Sequence, residues 1–165
     1  MDGLIKWEHL QKVLGDFAVE LRNRYQDNLI RDGKIATGNL LNSVDYKVQY
    51  DDRAIWVELH LEEYYKWVEN GRGPGKFPPP DKIMEWIRVK PVIPDDRGGR
   101  LPTEQQLAFL IGRKIAEQGI EPGNQLQNAM GDIFPQFEEK IDEAIALDIN
   151  DMVDILFSSF FNKKE

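Results

Sequence analysis

The chain has 165 residues, of which 41% are hydrophobic and 30% are charged, a composition typical of one globular domain with a sizeable core. Its 29 acidic and 21 basic residues give a formal net charge of −8, which argues against nucleic acid as the main partner. Because there is no cysteine and no apolar run of membrane-spanning length, disulfides, thiol chemistry and a membrane partner are not expected.

The first predicted element is a long amphipathic helix over roughly residues 4–31. Apolar side chains recur at intervals of three or four residues, at Trp7, Leu10, Leu14, Phe17, Leu21, Tyr25 and Leu29. Gly33 is suited to end this helix, and Thr37 is suited to cap a short helix that follows.

Two runs of alternating residues then predict a β-hairpin. Apolar and polar residues alternate over 44–50 and again over 55–61, on either side of the polar turn Asp51–Arg53. Because a sheet of two strands is marginally stable, we expect one or two further short strands or pairing with a neighbouring subunit. Residues 72–78 and 90–94 are the candidates for these strands.

The remaining elements are predicted to be helices. A short helix over 62–70 ends at Gly71, and after a Pro-rich loop a helix over 81–90 begins at Asp81 as its cap. We expect this second helix to direct three side chains inward: Ile83, Trp86 and Ile87.

A further helix should begin at a capping box of Thr103 and Gln106 and end at Gly119, and one or two long helices should follow from Ile133. The order indicates an α+β fold in a single domain, residues 1–165, with a long N-terminal helix, a small antiparallel sheet built on a hairpin, and several C-terminal helices.

The segment GRGPGK, residues 71–76, does not meet the requirements of a phosphate-binding loop. Asn70 stands where the first glycine is needed, and Phe77 stands where Ser or Thr must hold magnesium. Pro74 also removes a backbone donor that an anion would use. We therefore expect a stiff surface loop rather than a nucleotide site.

Other combinations of polar residues do not predict catalysis either. Glu58, His60 and Glu62 would share one face of a strand, which we interpret as the solvated face of the hairpin. Pro94-Asp95 with Glu138–Lys140 imitates a nuclease motif, but the latter segment has a helical pattern where that chemistry needs strands. The sequence thus predicts no catalytic, cofactor-binding or metal-binding residue, and no enzyme.

The candidate functional residues lie instead on two surfaces that we expect to contact other subunits. The first is the loop of residues 71–80, with its candidates Arg72, Lys76, Phe77, Pro78 and Pro79. The second is the C-terminal helix of about residues 149–161, which is apolar on more than one face, with its candidates Met152, Leu156, Phe157, Phe160 and Phe161.

The segments YYKWVENGRGPGKFPPPDKIMEWIRVK and LAFLIGRKIAEQGIEPGNQLQNAM resemble the tailed-phage neck and tail-completion family, whose members are also described as minor tail component or virion morphogenesis proteins. The resemblance rests on an aromatic helix that runs into V-E-x-G, a loop with a P-P motif, an I-x-x-W-I helix and an A-x-x-I-x-x-K-I helix. The matching positions are Tyr64, Val68, Glu69 and Gly71; Pro78 and Pro79; Ile83, Trp86 and Ile87; and Ala108, Ile111, Lys114, Ile115 and Gly119.

The resemblance implies a structural virion protein without a cofactor, which forms a homo-oligomeric ring at the head–tail junction as a neck, connector or tail-completion ring. Its partners would be further copies of itself, adjacent neck, portal or tail proteins, and DNA that passes through the lumen without specific binding. It would reside in the virion, and in the host cytoplasm during assembly. The alternatives are a monomeric adaptor that binds a peptide or a DNA end, and a small metal-dependent hydrolase.

Overall fold

The computed structural model describes residues 6–35, 37–51, 54–90, 92 and 101–161. The helices and strands in these ranges are, in chain order, α1 (Glu8–Arg31), α2 (Asn39–Ser43), β1 (Asp45–Tyr50), β2 (Ile55–His60), α3 (Tyr65–Asn70), α4 (Pro80–Val89), α5 (Glu104–Gln118) and α6 (Gln125–Phe161). The fold is α+β, with the predicted long N-terminal helix, antiparallel hairpin and C-terminal helices. No helix among the described residues is long and apolar enough to cross a membrane.

The chain divides into two compact units, each assembled from separate stretches of sequence. The first unit comprises the described parts of Met1–Asn28, Val44–Leu61 and Leu126–Glu165. The second comprises those of Leu29–Ser43 and Glu62–Gln125.

In the first unit, the predicted apolar stripe of α1 is buried. Leu10, Phe17, Leu21 and Tyr25 are at most 9% exposed. The stripe of α6 that is buried in the same unit consists of small and apolar residues at helical spacing, namely Ala129, Ile133, Phe137 and Ala144. The Phe17 and Phe137 rings meet edge to face, with centroids 5.4 Å apart, so that α1 and α6 are joined by an aromatic contact.

Helix α6 is one continuous helix and begins well before Ile133, the predicted start. The sequence pattern did not predict this beginning, because residues 125–132 mix small, polar and isolated apolar residues without a helical period. Pro135, which lies inside the helix, also disfavoured a continuous helix. Proline removes one backbone hydrogen bond, which the other turns of a long helix can compensate.

The hairpin has the predicted strands, with β1 and β2 antiparallel and Asp45 opposite His60 at one end and Tyr50 opposite Ile55 at the other. The prediction of a third strand at 72–78 is wrong, because in the described residues Arg72 forms only an isolated antiparallel bridge with Ile120. Pro74 cannot donate a backbone hydrogen bond to a ladder, and the glycines of that segment disfavour a strand. The other candidate, 90–94, lies largely outside the described residues.

In the second unit, α4 and α5 pack through a small apolar core. Ile83, Ile87 and Ala108 are buried there, with Met84, Leu107 and Ile111 packed against them. The capping box is confirmed, because Thr103 Oγ1 accepts from the Gln106 amide at 3.3 Å and Gln106 Oε1 accepts from the Thr103 amide at 3.0 Å. This reciprocal pair fixes where α5 begins.

Two expectations for α4 are wrong. The helix begins at Pro80, so Asp81 lies in its first turn and does not cap it. Trp86 is 39% exposed although Ile83 and Ile87 are buried. Because neighbouring residues of a helix differ by about 100° in direction, Trp86 is turned to the side of the face that Ile87 buries. Its exposed ring lines a cleft together with Tyr64 and Trp67.

Candidate interaction surfaces

The loop of residues 71–80 is fixed to the end of α5 by backbone hydrogen bonds. The Arg72 amide donates to the Ile120 carbonyl at 2.8 Å, and the Ile120 amide donates to the Arg72 carbonyl at 2.7 Å. The Gly75 amide donates to the Ala116 carbonyl at 2.8 Å. The amides of Arg72 and Gly75 are therefore already used within the protein, which removes them as donors to a phosphate.

Two glycines make this crossing of the chain possible. Gly71 and Gly119 have φ angles of +64° and +79°, in the region that side chains rarely adopt. A Cβ atom at Gly71 would overlap the Ile120 carbonyl oxygen, and one at Gly119 would overlap the Arg72 carbonyl oxygen. Gly71 and Gly119 thus allow the loop and the end of α5 to approach closely, which is a structural reason for glycine at both positions.

The predicted interface residues of the loop divide into anchored and free side chains. The Arg72 guanidinium donates to the Lys76 carbonyl within the loop. The half-buried Phe77 ring lies 5.7 Å from the Phe109 ring, in the space that Gly112 leaves open on α5. Lys76 and Pro79 are exposed, and Pro78 is half-buried. A partner that met this loop would touch Lys76 and Pro79 first.

A patch of apolar side chains on α5 lies beside the loop. Phe109, against which Phe77 packs, is 56% exposed, and its neighbours Leu110 and Leu101 are 44% and 65% exposed. These residues line a depression on the surface with a volume of about 630 Å³. The loop candidates therefore border apolar surface that this chain leaves uncovered.

The end of α6 leaves large apolar side chains uncovered as well. Ile155, Phe157, Phe160 and Phe161 are between 56% and 75% exposed, whereas Met152 and Leu156 are half-buried. Three of the five predicted candidates of this helix are thus available to a partner: Phe157, Phe160 and Phe161.

The residues that the sequence singled out for chemistry are not brought together. Glu58 and His60 lie on the exposed face of β2 with 3.9 Å between Oε2 and Nε2, and Glu58 also accepts from Gln49 Nε2 at 2.7 Å. Glu62 lies beyond the end of the strand. Glu138 and Glu139 are exposed on α6, and Asp95 lies outside the described residues.

A cluster of polar side chains that the sequence did not indicate joins the start of α1 to α6. His9, Asp148 and Asp151 place one possible metal-ligating atom each within 4.8 Å of the others. Both oxygens of the buried Asp148 carboxylate accept backbone amides, from His9 at 3.0 Å and from Leu10 at 2.9 Å. Asp148 therefore acts as the N-terminal cap of α1, supplied from a distant part of the chain. No local signal reveals such a cap, because its partners are far apart in sequence.

The second unit also contains a cleft with aromatic walls, which we call the aromatic cleft. It has a volume of about 230 Å³ and is lined by Gly33, Lys34, Ile35, Tyr64, Trp67, Val68, Trp86, Lys90 and Ile120. Trp67 is 63% exposed and Tyr64 and Trp86 about 40% and 39%. The Tyr64 hydroxyl accepts from the Leu40 amide at 2.7 Å, which fixes this ring in the wall.

Charged groups surround the Gly33–Ile35 side of the aromatic cleft. Lys90 donates through Nζ to the Gly33 carbonyl, and Lys34 is exposed. The hydrogen bond from Arg31 is the largest cause that holds the pKa of the Asp32 carboxyl below its ordinary value, and a hydrogen bond from Gln125 acts in the same direction. Lys34 and Lys90 are cationic and line the cleft, so they are the groups that would attract an anionic ligand.

No family model, curated protein or solved structure was found to match this chain.

Proposed function

We propose that this chain is a structural virion protein of a tailed phage, which assembles into a homo-oligomeric ring at the head–tail junction. Its neighbours there would be neck, portal or tail proteins, and it would assemble in the host cytoplasm. The order of motifs from Tyr64 to Gly119, which resembles the neck and tail-completion family, supports the proposal.

The observation that carries the proposal is the uncovered end of α6. Phe157, Phe160 and Phe161 are 60%, 73% and 75% exposed, more than the other large apolar side chains of this helix. Contiguous apolar surface of this kind marks a protein interaction site, because exposing it to water is costly. The apolar patch of Leu101, Phe109 and Leu110 beside the loop is a second such surface.

The arrangement of polar groups offers little support for the hydrolase alternative. A catalytic site needs a nucleophile, base or metal ligand set that converges on one point. The cluster of His9, Asp148 and Asp151 has its buried carboxylate engaged as a helix cap, and Glu58 and His60 are exposed on an outer strand face.

The test is the oligomeric state of the full chain, measured by light scattering after size exclusion over a range of concentrations, with electron microscopy of the largest species. We expect closed rings, and we expect the Phe157→Ser/Phe160→Ser variant to shift the population toward monomer. A Leu147→Ser variant is the control, because Leu147 is also exposed on α6, at 48%, but lies outside the terminal cluster. Monomer at every concentration, with or without a co-purified portal protein, would contradict the proposal.

A monomeric adaptor is the second candidate, and the aromatic cleft is the observation that favours it. Tryptophan and tyrosine are frequent anchor residues at protein interfaces, and the two lysines that line the cleft would attract an acidic residue of a bound segment. An adaptor of this kind would stay monomeric in the same measurement, so the two candidates give different results.

A further inference from the structure

The aromatic cleft has the size and walls to accept an aromatic side chain. Its volume is about 230 Å³, and a cavity of roughly 150 Å³ is already sufficient to bind benzene. Trp67, Trp86 and Tyr64 line the cleft, and aromatic rings are favourable neighbours for another aromatic ring. The cleft is therefore suited to one inserted phenyl ring, with the surrounding rings covering a second residue beside it.

The end of α6 presents side chains of the matching kind. Asp154, Phe157 and Phe161 follow one another at spacings of three and four residues, so they lie along one face of the helix. All three are exposed, with Phe157 at 60% and Phe161 at 75%. A helix that docks in a groove uses this spacing of anchor residues.

The charges of the two surfaces are complementary. Lys34 and Lys90 line the aromatic cleft, and Asp154 precedes the phenylalanines on the α6 face by one helical turn. With a phenylalanine ring of this face seated in the cleft, Asp154 would lie about one helical turn away, within reach of the cleft lining that includes both lysines. Opposite charges at the rim of an interface mainly fix its orientation and select the partner.

We propose that the end of α6 of one copy docks in the aromatic cleft of the next copy, with Phe157 and Phe161 as anchors and Asp154 directed to Lys34 and Lys90. The contact joins two different surfaces of the same chain, so each copy offers one end of α6 and one cleft. Such a heterologous contact generates a ring when the rotation closes. The inference deepens the proposed function, since it names the interface that would build the ring.

The test is disulfide trapping between full-length chains, for which the absence of natural cysteine gives a clean background. A Trp67→Cys chain and a Ser158→Cys chain of different tagged mass are mixed and mildly oxidised, and hybrid dimers are counted on a non-reducing gel. Ser158 is exposed on α6 beside the two anchors, so both anchors remain in place. The control mixture replaces Trp67→Cys by Trp56→Cys, because Trp56 is a tryptophan on β2 that is 41% exposed and is not among the residues that line the cleft. We expect at least several-fold more hybrid dimer from the first mixture.

Charge reversal provides the second arm of the test. Asp154→Lys should reduce hybrid dimer formation several-fold, and Lys34→Glu in the partner chain should restore part of it. A structural role of Asp154 within its own chain would not be repaired by a change in another chain. Circular dichroism of each variant shows whether it is folded, and Asp151→Lys is the matched acidic control on α6, since Asp151 faces His9.

Each outcome separates this inference from the proposed ring. If the wild-type chain forms rings but the Trp67 mixture traps no more hybrid than the Trp56 mixture, this docking is wrong, the ring uses another surface, and the cleft serves a different partner. If hybrids form preferentially but light scattering finds no ring, the docking stands and the ring proposal fails. If neither hybrids nor rings form, both proposals are wrong.

Discussion

Single residues determine how the 71–80 loop contacts the end of α5, and Gly71 leaves the least room for a side chain. Its positive φ and the nearby Ile120 carbonyl leave no room for a Cβ atom. We expect Gly71→Ala to lower the free energy of unfolding by at least about 1–3 kcal/mol, the usual cost of a strained backbone conformation. The measurement is urea unfolding followed by circular dichroism.

Gly73→Ala in the same loop is the matched control for Gly71→Ala. A Cβ atom at Gly73 would meet nothing within 4 Å, so we expect a change within about 0.5 kcal/mol. Equal stabilities of the two variants would show that the close approach of the two backbone segments is wrong.

Asp148 is the second residue on which one local structure depends. Its carboxylate is 4% exposed and accepts two backbone amides at the start of α1. We expect Asp148→Ala to lower the free energy of unfolding by about 1–3 kcal/mol, because it leaves buried donors without a partner. Asp151→Ala removes an exposed carboxylate of the same helix and should cost less than about 1 kcal/mol. A larger loss for Asp151 than for Asp148 would contradict the capping role.

At the scale of the element, α6 has two parts with different environments. Its first turns bury Ala129, Ile133 and Phe137, whereas its last two turns leave Phe157, Phe160 and Phe161 exposed. The helix therefore contributes one buried apolar stripe to the core as far as Ala144, beside exposed residues such as Phe134 and Leu147, and its apolar side chains are most exposed at its end. A helix needs tertiary contacts on only one face to be stable, so the exposed end of α6 is available to bind a partner.

Removal of the end of α6 separates stability from assembly. A chain that stops after Asp154 loses, within the described residues, side chains that are exposed, except for Leu156, which is half-buried. We expect it to unfold cooperatively with a loss of less than about 2 kcal/mol, since little apolar area is returned to water. Its assembly, measured by light scattering, should be abolished. Loss of the cooperative thermal transition would instead place these residues in the core.

At the scale of the whole molecule, the acidic balance of the chain bears on how a ring would treat DNA. The net charge is −8, and acidic side chains of the hairpin end and of α6 are exposed: Glu58, Glu62, Glu63, Glu138, Glu139, Asp142 and Glu143. Binding to phosphates requires lysine or arginine contacts and weakens steeply with salt. Surfaces of this composition would let a duplex pass without holding it.

We therefore expect no gel shift of duplex DNA by the purified chain, even at about 50 mM salt, where phosphate contacts are strongest. A variant with Glu138→Lys, Glu139→Lys and Asp142→Lys is the control for charge, and it should bind if these positions reach the duplex. Tight binding by the wild-type chain would contradict a passive lumen and favour an adaptor for a DNA end.

The sequence by itself determined the elements whose signal is local. Three such signals are the apolar period of α1, the alternation of the hairpin strands and the reciprocal Thr103–Gln106 cap. Each depends only on residues close together in sequence, and all three are present in the structure. The exposed end of α6 was also visible, because its apolar residues exceed what one buried face of a helix can use. Local periodicity reports which residues share a face, and these predictions needed nothing more.

Only the tertiary structure decided the features that join distant residues. The Asp148 cap on α1, the crossing of Gly71 with Ile120, and the aromatic cleft each combine segments that are remote in sequence. Trp86 illustrates the reason: its apolar character predicted burial, but whether a neighbour covers that side of α4 depends on where other elements lie. Hydrophobic character favours burial without specifying a partner, so the cleft formed by such uncovered rings is a property of the folded chain alone.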